Sequence, residues 1–311
     1  MGERGPMKSF VSFLFFVLCS TAWGQSLTLY GVIDIAIAKN PGAGVWAMQN
    51  GSGNRFGLRG TEDLGGGMTA FFNVENRFAG DTGAMREPGR LFNDRSMVGI
   101  QGRFGRFWLG REYTPASWNV QIPADPLYNS TLMSMFLIST GGIGRVYNNG
   151  SVNYQFDADG LSITGQVAET EDNKVPHRPV SFSVSYRAGS VLAAYGYDRP
   201  GGDRAIWHMA TGVYETKNFT LRAAVGGGMT DAGNRRVSMI LGATIPIRNS
   251  QIHISHGKLR DTTADRTLMV KTGIAYYYSL SKRTSLYADI VHDSNARPHH
   301  FGGEIGIKHR F

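Results

Sequence analysis

Three things are scarce in this chain. Its 311 residues include one cysteine, Cys19; no apolar run beyond residue 24 is long; and Lys and Arg never gather into a basic block. A single thiol excludes a disulfide framework and a cysteine-rich metal centre. A membrane-spanning helix needs about 20 consecutive apolar residues, and no stretch after residue 24 supplies them. Lys and Arg exceed Asp and Glu by 32 to 24, a formal +8. That excess is scattered singly along alternating segments, unlike the clustered footprint of a nucleic-acid surface. No nucleic-acid partner is expected.

What the amino end does hold is an export signal. Lys8 precedes an apolar core, Phe10–Leu18, and Ala22-Trp23-Gly24 sets small residues at both positions before a cleavage site. The core is too short to span a bilayer. Residues 1–24 therefore read as a signal peptide, with Met7 an alternative start, and 25–311 as the mature chain. Glu3, Arg4 and Lys8 carry a net +1, so the mature chain keeps about +7 and loses Cys19.

From Ser26 onward the sequence alternates. Leu27, Leu29, Ile33, Ile35 and Ile37 share one face, and Thr28, Tyr30, Asp34 and Ala36 the other. Period two marks a strand, and the charge of Asp34 means that its face is not a dry core. After a polar loop at Lys39–Ser52, runs follow at Gly53–Asp63, Met68–Ala79, Leu91–Gly102 and Phe107–Tyr113. Eleven more occupy the chain from Arg145 to Phe311, with short turns such as Asp157–Gly160 and Ala188–Ser190 alternating with longer polar connections. Sixteen strands with short turns on one side and longer loops on the other predict an all-β fold, a sixteen-stranded antiparallel transmembrane β-barrel. The physical reason is that backbone N–H and C=O groups in hydrocarbon all need partners, so a spanning sheet must close on itself. A soluble sandwich or propeller would not explain one lipid-like and one charged face, strand after strand, behind an export signal.

The alternation stops between Thr114 and Gly144, far longer than an ordinary connection. This stretch carries Trp118, Ile122, Leu127, Tyr128 and the run Leu132–Ile138, enough apolar surface to fold against something. The expectation is that 114–144 folds inward and narrows a channel; the alternative is a surface flap.

Several blocks, in order, resemble the trimeric general porins of β-proteobacteria: Leu29–Asp34, Arg55–Gly67, Arg90–Phe92, Leu109–Pro115, Leu280–Ala288 and the ending Gly306–Phe311. The resemblance runs from Ser26 to the last residue. It implies a homotrimer of parallel pores in the Gram-negative outer membrane, passing small hydrophilic solutes and ions by diffusion, with the third outer loop inside each pore. It also implies that Phe311 is a signal read by the barrel-assembly machinery.

Arg55 and Arg95 match positions where that family lines one wall of the constriction, and alternation independently points both inward. Arg59 shares the face of Arg55, Arg145 matches a further wall position, and Lys271 points inward by alternation. An arginine on the lipid face at mid-membrane would cost about 2–4 kcal/mol, which favours the lumen. The competing reading is that these arginines pair with Glu75 or Asp34 and only hold shape. Acids are few opposite them, Asp125 in the loop and Glu112 just before it, so the constriction is expected to be net positive and to prefer anions. Neither cofactor nor metal is expected: His292, His299 and His300 are read as solvated loop residues, and Gly226–Gly228 lacks the Lys-Ser/Thr of a phosphate cradle. Two alternatives remain, a barrel-based outer-membrane enzyme of lipase or protease type and a solute-specific channel.

Overall fold

The computed structural model describes residues 25–170 and 175–311; the export signal expected at 1–24 lies outside them. Among the described residues, seventeen strands form one sheet. In chain order they are β1 (Ser26–Lys39), β2 (Ala47–Asn50), β3 (Arg55–Gly65), β4 (Met68–Arg77), β5 (Arg95–Gly102) and β6 (Gly105–Tyr113). After the long loop come β7 (Tyr147–Ala158), β8 (Leu161–Ala168), β9 (Val180–Ala188), β10 (Val191–Arg199), β11 (Ile206–Glu215) and β12 (Thr220–Met229). The last five are β13 (Arg235–Ile247), β14 (Ser250–Asp261), β15 (Arg266–Ser279), β16 (Thr284–Asp293) and β17 (Phe301–Arg310).

Each neighbouring pair is antiparallel, and β1 closes the ring on β17 from Val32 opposite Arg310 to Lys39 opposite Gly303. β3 pairs with the first half of β1 and β2 with the second. β2 and β3 thus share one place in the wall, and the barrel has sixteen staves. β2 lies inside the stretch read as polar loop; its backbone finds free partners on β1 beyond the point where β3 has ended.

Turn chemistry sets the short rim. Asp159 and Gly160 are the whole connection between β7 and β8, and both have positive φ, 47° and 84°. A two-residue turn of that hand matches the right-handed twist of its strands. Aromatic side chains gather near this rim, among them Tyr154, Tyr186, Tyr214 and Tyr276, all exposed on the outside, where amphipathic rings suit a membrane–water boundary.

Alternation holds across the wall. On β1 the outward Leu27, Leu29 and Ile37 are exposed while Asp34, Ala36 and Ala38 are buried within the lumen. The barrel is therefore apolar outside and polar within, the reverse of a soluble sandwich. The largest apolar cluster among the described residues lies inside the bore: Val120, Ala124, Met135 and Ile138 of the long loop pack on Ala194, Trp207, Met209, Ala224, Ile240 and Leu259 of β10–β14.

Candidate pore constriction

The loop between β6 and β7 is clamped at its feet. Thr114 N–H donates to Val146 O at 2.8 Å and its hydroxyl to Arg145 O at 2.9 Å. It then enters the bore as a π-helical turn (Ser117–Gln121), a 3₁₀ turn (Ile122–Ala124) and one short helix, α1 (Phe136–Thr140). It crosses the inner wall, seating on inward glycines as it goes. A Cβ on Gly196 would stand 3.0 Å from Ala116 and Val120, one on Gly242 2.4 Å from Pro126, and one on Gly273 2.6 Å from Met133. Hydrogen bonds fix the path: Trp207 Nε1 donates to Ser139 O, Thr211 Oγ1 to Val120 O, and Leu132 N–H to Glu304 Oε1 on the far wall. Burying Met133, Met135 and Ile138 completely contributes about 1.5–3 kcal/mol each in transfer terms. The inward fold expected of 114–144 is what the chain adopts, and the surface flap is excluded.

The loop is seated against β10–β15, and open space remains on the opposite side. A cavity of about 480 Å³ lies there, lined on the barrel wall by Arg55, Glu75, Arg77, Arg95, Lys308 and Arg310 and on the loop by Trp118, Ile122, Pro123, Leu127, Tyr128 and Ser130. One wall is cationic and the other has no charge.

The cations are not isolated. Arg55 Nε lies 3.4 Å from Glu75, Arg77 Nε 2.8 Å from Asp94, Arg95 Nε 3.0 Å from Glu112, and Lys308 Nζ 3.6 Å from Asp34. The competing reading, in which Arg55 pairs with Glu75, is thus correct as to the pairing. In every pair, however, the cation is the more exposed partner: side-chain exposures are 33% against 7%, 18% against 0%, 18% against 8% and 13% against 0%. Carboxylates sit behind and guanidinium or ammonium groups in front. Arg95 is further held between Tyr113 and Trp118, with Cζ 4.8 and 4.3 Å from their ring centres, a cation–π sandwich that fixes its direction.

Two expectations are corrected here. Asp125 belongs to the loop but is wholly buried and faces its own backbone, accepting the N–H groups of Leu127 and Met135 at 2.8 and 2.7 Å. Tight turns leave such donors orphaned, and the carboxylate satisfies them; burial pushes its pKa up to about 6. Glu112 is buried beneath Arg95 and accepts Tyr113 N–H, so it supplies no charge to the opposite wall either. Lys271 does point inward, yet its ammonium is caught by Ser134 O at 3.0 Å and serves the loop. Arg145 is half-buried at the loop's foot, its N–H donating to Asp198. Arg59 is exposed over the Tyr30 ring, nearer the short-turn rim than the cavity.

Three wall cations escaped sequence reasoning: Arg77, Lys308 and Arg310. Their signal was present. Arg77 follows Glu75 by two on the inward face of β4, and the outward Ile305 and Ile307 put Lys308 and Arg310 inside.

A profile of Gram-negative porins matches residues 11–297. The chain is 26% identical to outer membrane porin protein 32 of Delftia acidovorans, with 98% of this chain and 99% of that protein covered. Among solved structures, an anion-selective porin from Comamonas acidovorans superposes with TM-score 0.80 at 23% identity, covering 92% of this chain and all of that one. The trimer form of OmpT from Vibrio cholerae reaches 0.71 at 13% identity, with 92% and 99% covered. With its sealed barrel and inward loop, this chain belongs to the Gram-negative porin family and is an outer-membrane channel protein.

Proposed function

We propose that residues 25–311 form a water-filled diffusion channel for small hydrophilic solutes with a preference for anions, that residues 1–24 direct its export, and that three copies assemble side by side. The observation that carries the preference is the ordering of charge on the wall, each cation ahead of its carboxylate. The cavity is lined by the cations Arg55, Arg77, Arg95, Lys308 and Arg310 and by one carboxylate, Glu75, whose side chain is almost wholly covered. Two unit charges about 5 Å apart in water interact by roughly 0.8 kcal/mol, and the screening length of about 8 Å at physiological salt leaves that bias acting across a narrow bore. The similarity to an anion-selective porin supports this reading, and the trimer form of the Vibrio protein supports the assembly.

Phe311 fits a role in assembly. Its N–H donates to Gly31 O at 3.1 Å, its carbonyl accepts Gly31 N–H at 3.0 Å, and its ring covers Gly31, where a Cβ would collide with it. The carboxyl end is thus stitched to the first strand at the seam. For selectivity the test is the reversal potential of the pure protein in a planar bilayer under a tenfold KCl gradient. The expected sign is that of chloride permeation, shrinking as total salt rises; a potassium-selective sign would overturn the proposal.

A further inference from the structure

The two walls of the constriction have different chemistries, and a bare inorganic anion would use only one of them. Facing the same cavity as the arginines, the loop presents Trp118, which packs on Arg95, with Ile122, Pro123 and Tyr128: no charge and two aromatic rings. Trp118 is 47% and Tyr128 56% exposed, both toward the water of the bore and away from lipid. Large aromatics left in water inside a channel need a reason, since each forgoes the burial its ring could have.

Tyr128 needs one twice over. Its backbone stands at φ 53°, in the left-handed region that side chains avoid, next to Asn129 at 58° and close to Thr131 at 63°. Strain of this kind persists only where the surroundings enforce it and clusters at functional sites. Arg222 holds the ring from behind, Nη2 donating to its hydroxyl at 3.2 Å with Cζ 5.5 Å from the ring centre. Trp118 has one face on Arg95. Both rings are fixed at the edge of a cavity of about 480 Å³, within the roughly 300–1,000 Å³ typical of small-ligand sites.

We infer that the constriction is a binding subsite for organic anions with a flat apolar body, aromatic monocarboxylates above all: carboxylate on Arg55, Arg77 or Arg310, ring against Trp118 and Tyr128. This rests on the anion-preferring reading of the same pore and narrows it to a solute class. A carboxylate lies in the plane of the ring that bears it, so one flat molecule can meet both walls at once. Acetate can use only the cationic one.

The test is block of chloride current through single trimers by benzoate, acetate and benzylammonium. The subsite requires benzoate to reach half-block at a concentration at least tenfold below acetate, and benzylammonium to block no better than acetate. In Trp118→Leu and Tyr128→Leu, which keep apolar bulk but lose the ring, benzoate should fall to within about threefold of acetate, while Trp118→Phe restores most of the difference. Benzoate and acetate blocking alike in the native pore would overturn the inference even with a chloride-selective reversal potential. Equal block by benzylammonium would overturn it too, since stacking without charge selection is not this site. An undiminished benzoate advantage in both leucine variants would show that the rings are not its source. Loss of chloride selectivity in the native channel would instead refute the parent proposal, and the reversal potential separates the two failures.

Discussion

Arg55 and Glu75 show how a nearly compensated wall can still favour anions. Their groups are 3.4 Å apart, but the carboxylate is almost wholly covered and the guanidinium is one-third exposed. A solute therefore feels the near charge more than the far one. Removing the far one should sharpen the preference. In Glu75→Gln the chloride-to-potassium permeability ratio should rise about two- to fourfold, the size of an uncompensated charge at roughly 5 Å in water. Arg55→Gln should lower it by a similar factor. Bilayer reversal potentials measure both, and a Glu75→Gln ratio at or below the native value would remove charge ordering as the source of selectivity. The inward direction of Arg55 and Arg95 was legible from alternation. The buried partners were not: Asp94 and Glu112 are assigned to particular arginines by contacts across neighbouring strands, and no local pattern encodes those.

The loop is held by shape as much as by bonds. Gly196, Gly242, Gly257 and Gly273 face inward where it passes, and a side chain on any of them would strike it. Gly273→Leu should force Met133 from its seat at an overpacking cost of about 1–3 kcal/mol. The expected outcome is an altered single-channel conductance with increased open-state noise. Gly212→Leu is the control, since a Cβ there meets nothing nearer than Ala223 O at 3.9 Å, and it should conduct as the native protein does. Equal, native-like records from both would mean that the loop does not depend on this seat. Alternation gives the face of Gly273 and of Gly212, but nothing in the sequence says that Met133 lies against the first. The existence of an inward loop could be read from the apolar run Leu132–Ile138 in a break of the alternation. Its path could not, being fixed by bonds such as Leu132 to Glu304, 172 residues apart.

The barrel itself was the most readable part of the molecule. Lipid outside and water inside impose an apolar–polar choice on every residue of every stave, so the pattern repeats sixteen times and the count follows. The exception, β2, has only four residues, too few to alternate visibly. Closure and filling act together: the β1–β17 seam removes the sheet's free edges, and the loop core packs on β10–β14, so the proposed route runs through the cavity between Tyr128 and the cationic wall. A cysteine at Tyr128, introduced into residues 25–311, which contain no other thiol, reports on that geometry. Single-channel current should fall in discrete steps as a bulky anionic methanethiosulfonate reagent attaches, while the same label on Leu241→Cys, on the lipid face, should leave it unchanged. Full current through a channel whose Tyr128→Cys is labelled would mean that solutes travel elsewhere and that the inward loop does not form the constriction.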